Sequence, residues 1–104
     1  SGAAMTAIER WQIAVETPVG AQFGTLELTH CGTAIDGRLY NESGELILQE
    51  GSIDGDTLRW TVTLSRPIAM TITCQALRQG DSLNGSATVA AMGDFTFTGR
   101  RETV

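Results

Sequence analysis

The sequence predicts an all-β fold, a single up-and-down antiparallel β-barrel of eight strands. Three observations predict it: apolar and polar residues alternate along most of the chain, turn residues separate the alternating segments, and the segments recur at near-constant spacing. The clearest segment spans residues 58–65, where a Gly-Asp pair precedes the strand and an Arg-Pro pair follows it. Its apolar face is formed by Leu58, Trp60, Val62 and Leu64.

The first two predicted strands alternate regularly. The eight predicted strands span residues 8–17, 23–31, 33–41, 44–54, 58–65, 68–79, 82–90 and 95–102. In the first, Trp11 and Ile13 share the apolar face. In the second, Leu28 does so together with His30, which therefore points toward the interior near one barrel mouth. A Pro-containing turn precedes the second strand and a Cys-Gly turn ends it, as tight connections require.

The third predicted strand, residues 33–41, has two candidate registers. If its aliphatic phase is buried, Leu39 faces inward while Asp36, Arg38 and Tyr40 face outward. A slip of one residue exchanges the faces and makes these three polar side chains line the interior. The sequence leaves this choice open.

The fourth predicted strand changes its apolar phase between Leu48 and Ile53. A β-bulge inserts one extra residue and reverses the alternation. We therefore predict a bulge at Glu50 and Gly51, with the glycine adopting the positive φ.

The last three predicted strands repeat the alternation seen in the strand at residues 58–65. The strands at 58–65 and 82–90 each follow a Gly-Asp pair, which is typical of hairpin turns. On the apolar face the sixth strand carries Met70, Ile72 and Cys74, the seventh Ala87 and the eighth Phe95 and Phe97. Closure of the eighth strand onto the first would remove both exposed sheet edges, so a barrel is the favoured arrangement.

The composition excludes several classes of function. The formal net charge of −5 and the pI near 4.6 argue against nucleic-acid binding, because phosphate contacts need clustered basic residues. No apolar run is long enough to span a membrane as a helix. One histidine and two cysteines at no ligand spacing argue against a metal site, and no cofactor is indicated.

The chain is predicted to contain one domain, residues 8–102, after a cloning remnant or disordered N-terminus at residues 1–7. Cys31 and Cys74 are expected to be reduced thiols on different strands with opposite orientations. No secretory signal is recognisable, so we expect a cytoplasmic protein, with secretion left open if a signal peptide was removed.

Turn and packing residues spread over nearly the whole chain carry a resemblance to a known family. They comprise Trp11, Thr17-Pro18-x-Gly20, Gly24-Thr25-Leu26-x-Leu28, Ile35-x-Gly37, Ile53-Asp54-Gly55-Asp56-Thr57-Leu58, Leu83-x-Gly85 and Phe95-x-Phe97-x-Gly99-Arg100. The pattern resembles that of the small bacterial calycin-like barrels, which are similar to shortened lipocalins or fatty-acid-binding proteins. The resemblance implies a β-barrel and suggests a cavity for an apolar small molecule, but it carries no catalytic residues. The Gly-x-Trp start of true lipocalins is absent, because Trp11 follows Glu9 and Arg10.

A ligand pocket is the functional interpretation of the predicted interior. Its candidate ligand-binding residues are Trp11, Ile13, Leu28, His30, Leu39, Trp60, Val62, Met70, Ile72, Cys74, Ala87, Phe95 and Phe97. Inward-facing Gly37, Gly85 and Ala87 would leave volume for a ligand. Alternatively the glycines only permit the coiling of a small barrel, and the aromatic residues fill it.

Three functions follow from these alternatives. The first is the binding of a small hydrophobic or aromatic molecule, as in a carrier or sensor. The second is a small enzyme of the cyclase or isomerase type, for which His30 is the only candidate acid or base and no catalytic motif is present. The third is a filled barrel that serves as an interaction module, with a homodimer through residues such as Ile47 and Ala69 as one form.

Overall fold

The computed structural model describes residues 8–65 and 69–102 of the chain. In these ranges it contains β-strands and no helix. The strands are β1 (Ile8–Thr17), β2 (Gly20–Cys31), β3 (Ala34–Asn41), β4 (Gly44–Ile47), β5 (Gln49–Asp54), β6 (Thr57–Leu64), β7 (Met70–Gln79), β8 (Ser82–Val89) and β9 (Gly93–Arg101). The predicted N-terminal remnant at residues 1–7 lies outside the described residues, as do Arg66 and Pro67 of the predicted turn and Ile68 at the predicted strand start.

The sheet closes on itself as an antiparallel barrel. Sequence neighbours pair around the barrel, and β1 pairs with β9 through contacts such as Ile13 with Gly99. β4 and β5 are two parts of one strand, because β3 pairs with both of them. β5 also pairs with β6 on its other side. The prediction of an all-β, eight-stranded up-and-down barrel is therefore confirmed.

The predicted β-bulge lies within β5, shortly after the interruption between β4 and β5. The register between β5 and β6 shifts there, and Ile53 returns to the side that packs on the core. One detail of the prediction is wrong: Glu50, not the glycine, has the positive φ, at 53°. Gly51 is needed for a different reason, since a Cβ at this position would collide with the backbone carbonyl oxygen of Ile35.

The third strand has its aliphatic phase buried. Ile35 is 1% exposed and Leu39 packs against the core, whereas Asp36 is exposed. Arg38 lies on the outer face with its guanidinium 4.2 Å from the centre of the Tyr40 ring. The alternative register, with these polar side chains inside, does not occur.

The two ends of the barrel differ in their connections. At one end, which we term the closed end, lie the turns at residues 32–33, 55–56 and 80–81. At the other, the mouth, lie the turns at 18–19, 42–43 and 90–92 together with the end of β6 at Leu64 and the start of β7 at Met70. β1 starts and β9 ends at the closed end, where the Glu102 backbone N–H donates to the Arg10 carbonyl over 2.7 Å.

Large side chains fill the closed half of the interior. Fully buried there are Trp11, Leu28, Ile35, Leu58 and Leu83. Trp60 and Phe97 lie nearer the mouth, both nearly fully buried, with ring centroids 6.0 Å apart and planes tilted by 51°. Such tilted aromatic pairs add about 1 kcal/mol to the burial of their surface. Several residues toward the mouth are only partly buried, namely Val15, Leu39, Leu46, Ile72 and Ala87.

Candidate functional site: an apolar cavity at the barrel mouth

The mouth half of the barrel contains a cavity of about 630 Å³. Trp60, Cys74 and Phe97 lie at its inner part, and Val15, Leu64 and Met70 line its walls toward the mouth. Among the described residues that line it, none carries a charge; Thr17 and Gln22 are the polar members. A volume of this size is within the range of small-molecule pockets, and its lining suits an apolar ligand.

The rim of the cavity exposes apolar side chains to solvent. Pro18 and Val19 form the turn between β1 and β2, and Met92 belongs to the turn between β8 and β9. Val19 is 86% exposed and Met92 61% exposed. The entrance therefore offers apolar contacts to an approaching molecule before it reaches the interior.

Most residues predicted to bind a ligand line this cavity. They are Ile13, Leu39, Trp60, Val62, Met70, Ile72, Cys74, Ala87, Phe95 and Phe97. Trp11, Leu28 and His30 do not, because they lie deeper in the filled half. The sequence reveals which way a strand residue faces but not how far along the barrel the packing stops.

The inward-facing small residues have different roles. Ala87 lines the cavity, but Gly37 and Gly85 are not among its lining residues. A Cβ on Gly37 would collide with the backbone of Glu27, and one on Gly85 would meet Phe97 Cζ and Ala76 Cβ. The two glycines thus allow strands and side chains to approach closely.

A more polar recess of about 580 Å³ adjoins the cavity at the mouth. It lies beside β4. Among the described strands β4 pairs only with β3, so the mouth end of β6 has no strand partner on the side of β4. The recess is lined in part by Tyr40, Asn41, Ser43, Glu45, Thr63 and Ser65. It shares Gln22, Leu46 and Leu64 with the cavity, so the two spaces adjoin each other at these residues. We refer to this space as the polar recess.

A buried ionic cluster lies at the closed end. The Glu9 side chain is 8% exposed and accepts hydrogen bonds from Arg78 Nη1 at 2.8 and 3.1 Å and from Trp11 Nε1 at 3.2 Å. His30 Nε2 lies 2.7 Å from Glu9 Oε2. Glu9, Trp11, His30 and Arg78 are termed the Glu9 cluster. Within the described ranges, no buried side-chain nitrogen or oxygen lacks a hydrogen-bond partner.

The Glu9 cluster favours the ionised carboxylate. Burial would raise the pKa of Glu9, but the hydrogen bonds and charge of Arg78, the charge of His30 and the Trp11 hydrogen bond outweigh it, so that the pKa is lowered. The sequence pattern alone does not indicate a partner for His30. A signal was present: Glu9 shares the inward phase of Trp11, and Arg78 shares that of Ala76. A buried charge with paired hydrogen bonds is nevertheless rare enough that alternation alone does not predict it.

The two cysteines occupy different environments and form no disulfide. Cys31 is exposed at the end of β2, whereas Cys74 is buried in the cavity wall. Burial raises the pKa of the Cys74 thiol to about 11, in spite of a hydrogen bond with Trp60. A thiol of this kind is a weak nucleophile at neutral pH.

Comparisons with known proteins leave the fold and the cavity as the basis for function. No protein-family model matches the chain, and a search of the curated proteins finds no significant match. Among residues 8–65 and 69–102 no group of three or more potential metal ligands occurs. No helix in the same ranges has the length and apolar character needed to cross a membrane.

Proposed function

We propose that the protein binds a small hydrophobic or aromatic molecule in the cavity at the barrel mouth, as a carrier or sensor does. The observation that carries the proposal is a space of about 630 Å³ whose described lining is uncharged and almost entirely apolar. Apolar interiors usually fill with side chains, since voids forgo dispersion contacts. A barrel that is densely filled in one half and hollow in the other is best explained by an occupant for the hollow half.

The position of the aromatic side chains adds support. Trp60 and Phe97 form the inner part of the cavity and present tilted rings to it. Aromatic rings provide large contact areas and favour other aromatic or aliphatic groups. The likeness to calycin-like barrels agrees with this proposal, and we extend it to propose such a relationship for this chain.

Binding is favoured over catalysis by the position of the ionisable groups. The His30–Glu9 pair is the best candidate for proton transfer, but neither residue lines the cavity. Fully buried Trp11 and Leu28 pack in the filled half between the ends of the barrel. A general base must come within hydrogen-bond reach of its substrate, so this pair is poorly placed to act on a cavity ligand.

The test is a ligand screen with Trp60 as the reporter. Compounds of increasing apolar size are added while intrinsic fluorescence and the midpoint of thermal unfolding are followed. A ligand at one hundred times its Kd stabilises the fold by about 2.7 kcal/mol, which is readily detected as a rise in Tm.

A pair of variants makes the test specific to the cavity. Ala87→Phe places a ring in the cavity, and Ala21→Phe places the same ring on the exposed outer face of β2. We expect the first to abolish binding and the second to leave it unchanged. If no compound perturbs either signal, or if Ala87→Phe binds as well as the native chain, the proposal is wrong.

A further inference from the structure

Charge is absent from the described cavity wall, and this restricts the ligand. The chain contains no lysine, so arginine is its only residue type with a permanent positive charge. Arg38 forms ion pairs with Glu27 and Glu45 on the outer face, and Arg78 forms an ion pair with Glu9. No described arginine lines the cavity or the polar recess. An anionic group in the cavity would meet no described cation, and one in the polar recess would find Arg38 already paired with Glu27 and Glu45.

Among the described residues that line the polar recess, the one charged side chain is negative. Glu45 lines the polar recess, where Arg38 Nη1 holds it at 2.7 Å. A cationic group in the recess would have to compete with Arg38 for this carboxylate. Burying an unpaired ion in an apolar space is strongly unfavourable. Both kinds of charged ligand are therefore at a disadvantage compared with an uncharged one.

Two polar side chains border the cavity, and they differ in their availability. The Thr17 hydroxyl donates to the Gly20 carbonyl at 2.7 Å and accepts from the Val19 N–H at 3.2 Å, so its own turn occupies it. Gln22 lines both the cavity and the polar recess. Within the described part of the chain, the structure contains no hydrogen bond made by the Gln22 side chain. An amide can donate and accept, which suits a neutral polar group.

From this arrangement we infer that the cavity takes an uncharged amphiphile, with its hydrocarbon body inside the barrel and one hydroxyl, carbonyl or amide group at Gln22. The inference rests on the proposed function and specifies the class of ligand. It predicts discrimination against carboxylates and ammonium compounds of the same length. Its geometric basis is the contrast between the uncharged wall formed by the described residues and Gln22, whose side chain makes no hydrogen bond within them.

The experiment compares 1-octanol, octanoate and octylamine, which share one hydrocarbon chain. Binding to the native protein at neutral pH is measured by calorimetry and by Trp60 fluorescence. We expect octanol to bind about tenfold or more tightly than either charged compound. Equal or tighter binding of octanoate or octylamine would overturn the inference and leave the proposed function standing. Absence of binding by all three compounds would overturn this inference, and the wider ligand screen then decides the proposed function separately.

Variants test the role assigned to Gln22. Gln22→Leu should weaken octanol binding about threefold to tenfold, the usual effect of one neutral hydrogen bond. The same variant should leave the binding of octane unchanged. Gln79→Leu, an exposed position on β7 at the closed end, is the matched control and should affect neither compound. Unchanged octanol binding in Gln22→Leu would overturn the assignment.

Arg66 lies outside the described residues and is tested directly. Arg66→Ala should leave the preference for octanol over octanoate intact. If the native chain binds octanoate more tightly than octanol and Arg66→Ala reverses this, the chain recognises an anion and the inference is wrong.

Discussion

The carboxylate of Glu9 lies 2.7 Å from the imidazole of His30, although 21 positions separate the residues along the chain. β1 and β2 bring them together, because Glu9 pairs with Leu28 and both Glu9 and His30 face the interior at the closed end. Arg78 from the opposite side of the barrel approaches the same carboxylate at 2.8 Å. The contact thus links three strands beneath the filled half of the core.

Removing the Glu9 charge should destabilise the fold. Glu9→Gln leaves Arg78 without its carboxylate, and breaking such a pair costs about 2–3 kcal/mol when, as here, the partners keep some exposure. Urea unfolding measures the loss. Glu27→Gln, which weakens contacts to Arg10 and Arg38 on the outer face, is the matched control and should cost about 1 kcal/mol or less. Equal losses in both variants would contradict a special role for the Glu9 cluster.

The same carboxylate should make stability depend on pH. Its pKa is lowered in the folded state, so its contribution is fully present above the unfolded value of about 4.3 and is lost as pH falls through the folded pKa. We expect the free energy of unfolding to decline below about pH 4. The pKa of Glu27 is also lowered, by hydrogen bonds from Arg38 and Arg10, so Glu9→Gln should reduce the slope without removing it. An unchanged slope in Glu9→Gln would refute this account.

A methyl group at Gly37 should be poorly tolerated. Gly37→Ala directs a Cβ at the Glu27 carbonyl, and the strands must separate to admit it. We expect a loss of about 2–3 kcal/mol in urea unfolding, similar to other overpacked sites. Gly24→Ala is the control, because its Cβ would lie 3.2 Å from the backbone carbonyl oxygen of Tyr40 and the neighbouring strand needs to move only slightly. A smaller loss in Gly37→Ala than in the control would count against close strand contact at this position.

Relief of backbone strain is expected at the bulge. Glu50 adopts a φ of 53°, which costs most residues about 1–2 kcal/mol and glycine little. Glu50→Gly should therefore be neutral or stabilise the protein by up to about 1 kcal/mol. Ser52→Gly, in the same strand with ordinary backbone, should destabilise it by about 0.5–1 kcal/mol. Thermal unfolding of the two variants side by side tests the difference, and a larger loss at Glu50 would show that its side chain matters more than its backbone.

Thiol labelling should separate the two cysteines. Cys31 is exposed and should react rapidly with iodoacetamide at neutral pH. Cys74 should react slowly, since burial raises its pKa to about 11 and its sulfur is enclosed. Peptide mass spectrometry follows each site over time. A ligand in the cavity should slow Cys74 further and leave Cys31 unaffected, whereas similar rates at both sites would indicate that the cavity wall opens freely.

Alternation was sufficient to predict most of the fold. The predicted faces of Trp60 and Phe97 and the bulge near Glu50 agree with the structure, because period-two burial is a local property of each strand. The depth of each residue along the barrel is not local. It depends on how the strands are staggered, which explains why Trp11 and His30 belong to the filled half.

The polar contacts were less predictable than the apolar faces. The sequence indicates that Arg78 and Glu9 lie in inward phases, but their meeting depends on partners 69 positions apart. The sequence predicts the positive φ at Gly51, because glycine is the usual occupant of that conformation, whereas Glu50 adopts it. Gly51 is required for a different reason, because a Cβ there would collide with the backbone carbonyl oxygen of Ile35.

The shared location of Ile8 and Glu102 at the closed end determines how the molecule can be tethered. Both lie at the end of the barrel opposite to the cavity. A surface linker, a fluorescent label or a fused domain attached through either of them would project away from the entrance. Immobilised protein should consequently keep its entrance facing the solution, with Val19 and Met92 outermost.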